Sequence, residues 1–234
     1  MKKYFLIISM FTFSAANVFA DETYVFKNES KIYDVKVSVE NCDKEEKQTI
    51  CNSKGVFYLL KKNTSEVTQT IEMAETWLTI SGNLRKKGDL SELYGKEHGG
   101  VYFADYNFDG IADLGIGNGN YRPYGGVSYD VFLYSKAQRK FVRHEELSRL
   151  ETEMVSTDVN TKLRIIETDT KSGCCWNEKS RYRFVGDRLQ KFYVFTEDAT
   201  DPNGKWVEVT TERLVKNKWR TSSKRFLRKK YYKD

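Results

Sequence analysis

The sequence predicts an all-β fold with one short helix, and three observations predict it. Apolar/polar alternation and short β-branched or aromatic runs recur about every 8–12 residues. Turn clusters punctuate them: Ser81-Gly82-Asn83, Val185-Gly186-Asp187 and Asp201-Pro202-Asn203-Gly204. Only Pro123 and Pro202 interrupt a chain of 234 residues in which 14% are aromatic, so a sizeable core is available. Such spacing belongs to an antiparallel sandwich, barrel or propeller.

The elements follow in order. Residues 1–20 read as a signal peptide: Lys2 and Lys3, an apolar Tyr4–Phe13 stretch too short to span a bilayer, and a small-residue cleavage site ending at Ala20. A single β domain, 21–234, is expected to follow, in the periplasm or secreted, with no transmembrane segment in the mature chain. Strands are predicted at Tyr33–Val39, Gly55–Leu60, Val67–Ile71, Trp77–Ile80, Val101–Ala104, Ile111–Ile116 and Tyr129–Tyr134. More follow at Leu163–Glu167, Arg181–Phe184, Leu189–Phe195, Trp206–Val209 and Arg213–Trp219. Only Glu145–Glu151 reads as helix, with Leu147 and Leu150 three apart. Asp43–Gln48 and the glycine-rich Gly115–Gly126 read as mobile loops.

The net charge of +6 divides unevenly. Residues 216–234 hold nine Lys/Arg against one acidic residue, whereas residues 21–215 are mildly acidic. Lys224–Lys233 interleaves cations with aromatics, a composition suited to an anionic surface. For an exported chain a cell-envelope surface is expected rather than nucleic acid. The plainer alternative is a last strand with solvated lysines.

Export makes the four cysteines legible as disulfides, and four cysteines allow three pairings. Local pairing, Cys42 with Cys51 and Cys174 with Cys175, is the expectation; cross-pairing of the two segments is the alternative. Two histidines without ligand spacing, His98 and His144, argue against zinc. The chain lacks G-x-S-x-G, H-E-x-x-H and a Walker loop, and Gly115–Gly119 precedes no predicted helix, so no enzyme activity is expected.

Asp105–Asp113, D-Y-N-F-D-G-I-A-D, carries most of the chemistry. Oxygen ligands at loop positions 1, 3, 5 and 9, with glycine at position 6, suit Ca2+. Asp105, Asn107, Asp109, Asp113 and the Ile111 carbonyl form the candidate ligand set. Three close carboxylates repel unless a cation or solvent relieves them. Position 12 is Ile116, where an EF-hand needs glutamate, and the flanks read as strands; the loop therefore joins two strands. The alternative is a solvated Asp/Asn/Gly turn without metal.

V-Y-F-A-D-Y-N-F-D-G-I-A-D-L, then Y-D-V-F-L-Y, a K-F-V strand and E-E-L-S-R-L, resembles a family of exported bacterial proteins with an integrin-like (FG-GAP-type) calcium loop. S-G-C-C-W followed by Y-R-F-V-G-D-R-L resembles the family's later segment, so the resemblance runs from about Val67 to Phe195. It implies a β-propeller-like domain and the calcium ligands named above. It also implies a partner, since some members are periplasmic inhibitors of lysozyme-type peptidoglycan hydrolases. Those enzymes use paired carboxylates in a cleft. Tyr121, Arg122 and Tyr124 offer a cation between aromatic anchors and are the candidate partner-binding residues. Plain packing beside the acidic loop is the alternative for both tyrosines. A calcium-stabilised structural or adhesive module on an anionic envelope surface is the alternative function.

Overall fold

The structure, a computed structural model, describes residues 22–27, 29–45, 48–81 and 100–232. The expected signal peptide, Gly82, Asn83 and His98 lie outside the described residues. Among the described residues, seventeen strands come in chain order. The first seven are β1 (Glu22–Phe26), β2 (Tyr33–Val39), β3 (Asp43–Lys44), β4 (Gln48–Cys51), β5 (Gly55–Lys61), β6 (Val67–Met73) and β7 (Leu78–Ser81). Next stand β8 (Val101–Ala104), β9 (Asp113–Arg122), β10 (Gly126–Ser135), β11 (Lys140–Arg143) and helix α1 (Glu145–Glu153). The last are β12 (Ser156–Asn160), β13 (Ile165–Ser172), β14 (Trp176–Val185), β15 (Arg188–Asp198), β16 (Trp206–Val215), β17 (Lys218–Leu227) and helix α2 (Arg228–Tyr231).

They form four antiparallel sheets with orders β1-β2-β5-β6, β3-β4-β7, β8-β9-β10-β11 and β12 through β17, none closed into a barrel. The fold is all-β and built of hairpins, as the alternation predicts. Helix α1 starts where expected because His144 caps it: its Nδ1 accepts from the Leu147 amide at 3.3 Å. The basic segment adds a second helix, α2, that the periodicity did not predict. Among the described residues, no helix is long and apolar enough to cross a membrane.

The third sheet positions the candidate site because it is buried on both faces. Successive β8 residues alternate between two cores: Val101 joins Val37, Phe57, Leu78, Leu114 and Ile116, while Tyr102 joins Tyr106, Tyr129, Leu147 and Ile166. That alternation is the period-two consequence of a pleated strand. The first core seals it to the N-terminal sheets and the second to α1 and the C-terminal sheet.

Two expectations are corrected here. Gly115–Gly126 is no mobile loop: residues 113–122 are β9, paired with β10 up to Arg122 and with β8 over Asp113–Ile116. Its glycines serve close packing, since a Cβ on Gly115 would stand 2.2 Å from the Tyr102 ring and one on Gly117 would stand 2.6 Å from the Trp77 carbonyl. Arg213–Trp219 is no single strand either. Lys216 and Asn217 take left-handed φ of 51° and 59°, turning β16 into β17 by a two-residue hairpin.

Candidate functional site

The acidic loop joins β8 to β9, with Ala104 opposite Asp113. The sequence folds it by side-chain-to-amide bonds. Asp105 Oδ1 and Oδ2 accept from the amides of Asp109 and Gly110 at 3.0 and 2.9 Å. Asn107 Oδ1 accepts from Asp109 at 3.1 Å, and Asp109 Oδ1 accepts from Ile111 at 2.9 Å. Gly110 turns at φ 85°, where a Cβ would be strained. Tyr106 and Phe108 point inward and anchor the loop to the second core.

Asp113 is fully buried, and its two oxygens accept from the amides of Tyr106 and Tyr134, each at 2.9 Å. Burial pushes its carboxyl up to about 6, against the downward pull of amide bonds from Tyr134, Tyr106 and Asn107. Lys136 Nζ stands 3.3 Å from Asp109 Oδ2. Among the described residues, no three His, Cys, Asp or Glu side chains converge closely enough to hold a metal ion. The candidate donors are all oxygen, the type a hard cation such as Ca2+ takes, and each carboxylate oxygen bonded to one amide keeps a second lone pair. The folded loop thus keeps its carboxylates on its own amides and on Lys136.

The three candidate partner-binding residues separate. Tyr121 and Tyr124 are 56% and 64% exposed, whereas Arg122 is 7% exposed. Arg122 is therefore corrected from surface cation to buried strut. Its guanidinium lies against the Glu151 carboxylate and within 3.4 Å of the carbonyls of Met154 and Val155. Glu151, itself fully buried, also accepts from the Tyr106 hydroxyl, which contacts that of Tyr102. Burial raises both tyrosine pKa values, so the hydroxyls stay protonated as donors. No sequence pattern signals this cluster, because Glu151 lies 29 residues beyond Arg122 in the helix.

Arg122 thereby fixes the base of a one-turn 3-10 segment, Pro123–Gly125, in which Tyr124 adopts a left-handed φ of 64°. The tip meets the β13–β14 hairpin, whose loop is Gly173-Cys174-Cys175. The Tyr124 hydroxyl accepts from the Gly173 amide at 3.2 Å and donates to the Lys171 carbonyl at 3.4 Å. Lys171 Nζ sits 4.4 Å from the centre of the Tyr124 ring, a cation–π contact. Cys174 is disulfide-bonded to Cys175, and Cys42 to Cys51, so the local pairing holds. The Cys175 carbonyl accepts from Ala199 at 2.7 Å. Tyr121 donates to Glu75, which lies in the turn between β6 and β7. Two sequence segments therefore build one surface: Tyr121 and Tyr124, Lys171, and the disulfide-bonded turn.

No family model matches the chain, and no curated protein matches it. Among solved structures, it is similar to a Xanthomonas type IV secretion system related protein. The TM-score is 0.65 at 20% identity, over 89% of this chain and 95% of that one. At that identity the likeness shows a common fold.

Proposed function

We propose that the chain is an exported Ca2+-binding protein that inhibits a lysozyme-type peptidoglycan hydrolase by binding it. The observation that carries this reading is the braced surface at Tyr124. A projecting aromatic, a cation above its ring and a disulfide-bonded turn are already held together by hydrogen bonds, so docking loses little conformational freedom. A cation held over an aromatic ring complements a cleft whose chemistry depends on carboxylates. Lys171 replaces Arg122 in that role. Ca2+ held by Asp105, Asn107, Asp109, Asp113 and the Ile111 carbonyl would relieve carboxylate repulsion and stiffen the adjoining hairpin. The fold shared with a type IV secretion system related protein is compatible with an extracytoplasmic place for the chain.

The test is titration of purified lysozyme-type hydrolases with the full chain, in turbidity assays on peptidoglycan. Stoichiometric inhibition of one of them is expected, abolished by Tyr124→Ala and by Lys171→Glu at unchanged melting temperature. A panel with no inhibited member overturns the reading, as do variants that inhibit like wild type.

A second reading, a calcium-stabilised structural or adhesive module on an anionic envelope surface, draws on the basic C-terminal segment. In β17 every residue except Leu227 is exposed.

A further inference from the structure

We propose that one face of the last hairpin, β16–β17, is a binding face for an acidic polysaccharide. The inference rests on the second reading above and narrows it to one side of one sheet and one ligand class. The register pairs Trp206 with Leu227 through to Val215 with Lys218. Opposed residues share a face and neighbours alternate. Arg213, Lys218, Arg220 and Lys224 therefore fall on one face, to which these two strands contribute no Asp or Glu. Arg225 falls on the other, opposite Glu208, and Glu212 shares that face farther along the hairpin, opposite Thr221. There the acids are also engaged, Ser223 donating to Glu208 at 2.6 Å and Thr221 to Glu212 at 3.1 Å.

The cationic face contains an unfavourable contact within the fold. Arg213 stands directly opposite Arg220, and like charges in that position destabilise a sheet. Arg213 also sits 5.8 Å from the centre of the Tyr193 ring, a cation–π contact that holds its guanidinium at the sheet without neutralising it. Charge that only kept other strands off the edge could sit on either side. Here it is segregated.

The shape fits a chain rather than a single ion. A groove of about 470 Å³ takes in Arg213, Arg220 and Lys224, with Thr211 and Ser222 between them and Phe226 at one end. At ~3.4 Å per residue, Lys218, Arg220 and Lys224 stand in line at intervals of roughly 7 and 14 Å. Repeated carboxylates answer the cations, sugar hydroxyls answer Thr211 and Ser222, and the apolar face of a sugar ring answers Phe226. A second copy is a poor occupant, because antiparallel pairing of β17 with itself sets Arg220 against Lys224 or Arg225.

The test uses the full chain against immobilised polygalacturonate, with dextran as neutral control and with polyglutamate and inorganic polyphosphate as competitors. Polygalacturonate should bind, dextran should not, and added salt should weaken binding. Arg213→Glu with Arg220→Glu should weaken it roughly tenfold or more, on the basis of about fivefold per basic residue near an anionic surface. Arg225→Glu should change it less than twofold. If the double reversal fails to fold by its thermal melt, Arg220→Thr with Lys224→Ser replaces it. Equal losses for the two faces overturn the face assignment while leaving the second reading standing. Tighter competition by polyglutamate or polyphosphate overturns the ligand class. Failure of every polyanion to bind sinks both.

Discussion

The Arg122 guanidinium lies against the Glu151 carboxylate directly beneath the turn that presents Tyr124. Sequence neighbours thus divide the work, Arg122 holding the turn from inside and Tyr124 facing solvent. Arg122→Ala should lower stability by about 3–5 kcal/mol, because it leaves the Glu151 charge buried and uncompensated. Replacing both by methionine should recover most of the loss, as read from denaturant midpoints. An unchanged midpoint in Arg122→Ala would show that the pair contributes nothing to the fold.

Ca2+ should raise the melting temperature if the acidic loop binds it. Mass action gives about 2.7 kcal/mol when free Ca2+ is a hundred times Kd. Asp109→Ala should erase the difference between melts with Ca2+ and with chelator. Superimposable wild-type melts would sink the calcium assignment.

The buried Asp113 predicts an inverted pH dependence in chelator. Its folded pKa, about 6, lies above its ordinary value of 3.8, so the folded state holds the extra proton between the two. Stability should be greatest below the ordinary value and fall as pH rises through 6, by on the order of 3 kcal/mol at most. Asp113→Asn should flatten that part of the curve, measured as the wild-type minus variant difference in denaturant midpoint. A difference independent of pH between 4 and 7 would contradict the assignment.

The two disulfides should behave differently when removed. Cys42–Cys51 spans nine positions, and opening it should cost about 2–3 kcal/mol of loop-closure entropy. Cys174–Cys175 joins adjacent residues and constrains almost no loop, so Cys174→Ser with Cys175→Ser should scarcely move the melt. If the turn is part of the inhibitory surface, that double variant should nonetheless lose inhibition. Alkylation of the native protein should find no free thiol.

What the sequence revealed follows from where its information is local. Tyr33–Val39 and Val101–Ala104 match their strands end to end, because period-two burial is written in the residues themselves. Leu147 and Leu150 located α1 because their spacing of three is likewise local, set by the helical period. The start of β9 was legible in Ile111–Ile116, but its continuation to Arg122 was hidden, because its glycines accommodate the Tyr102 ring and the Trp77 carbonyl, neighbours that only the folded chain supplies. The Lys216-Asn217 turn was hidden because nothing around it breaks the alternation. At the site, the placing of Asp105–Asp113 between two strands and both cysteine pairs were legible. The burial of Arg122 and the meeting of Tyr124 with Gly173 depend on distant partners and were not.

From β12 to β17 each strand pairs with the next one in the chain. No strand there waits for a remote partner, so the sheet can lengthen one hairpin at a time, each closure costing only a short turn. Growth in that direction puts the last hairpin at the outer margin of the sheet. Evolution can recharge, lengthen or delete it with little consequence for the cores formed before it.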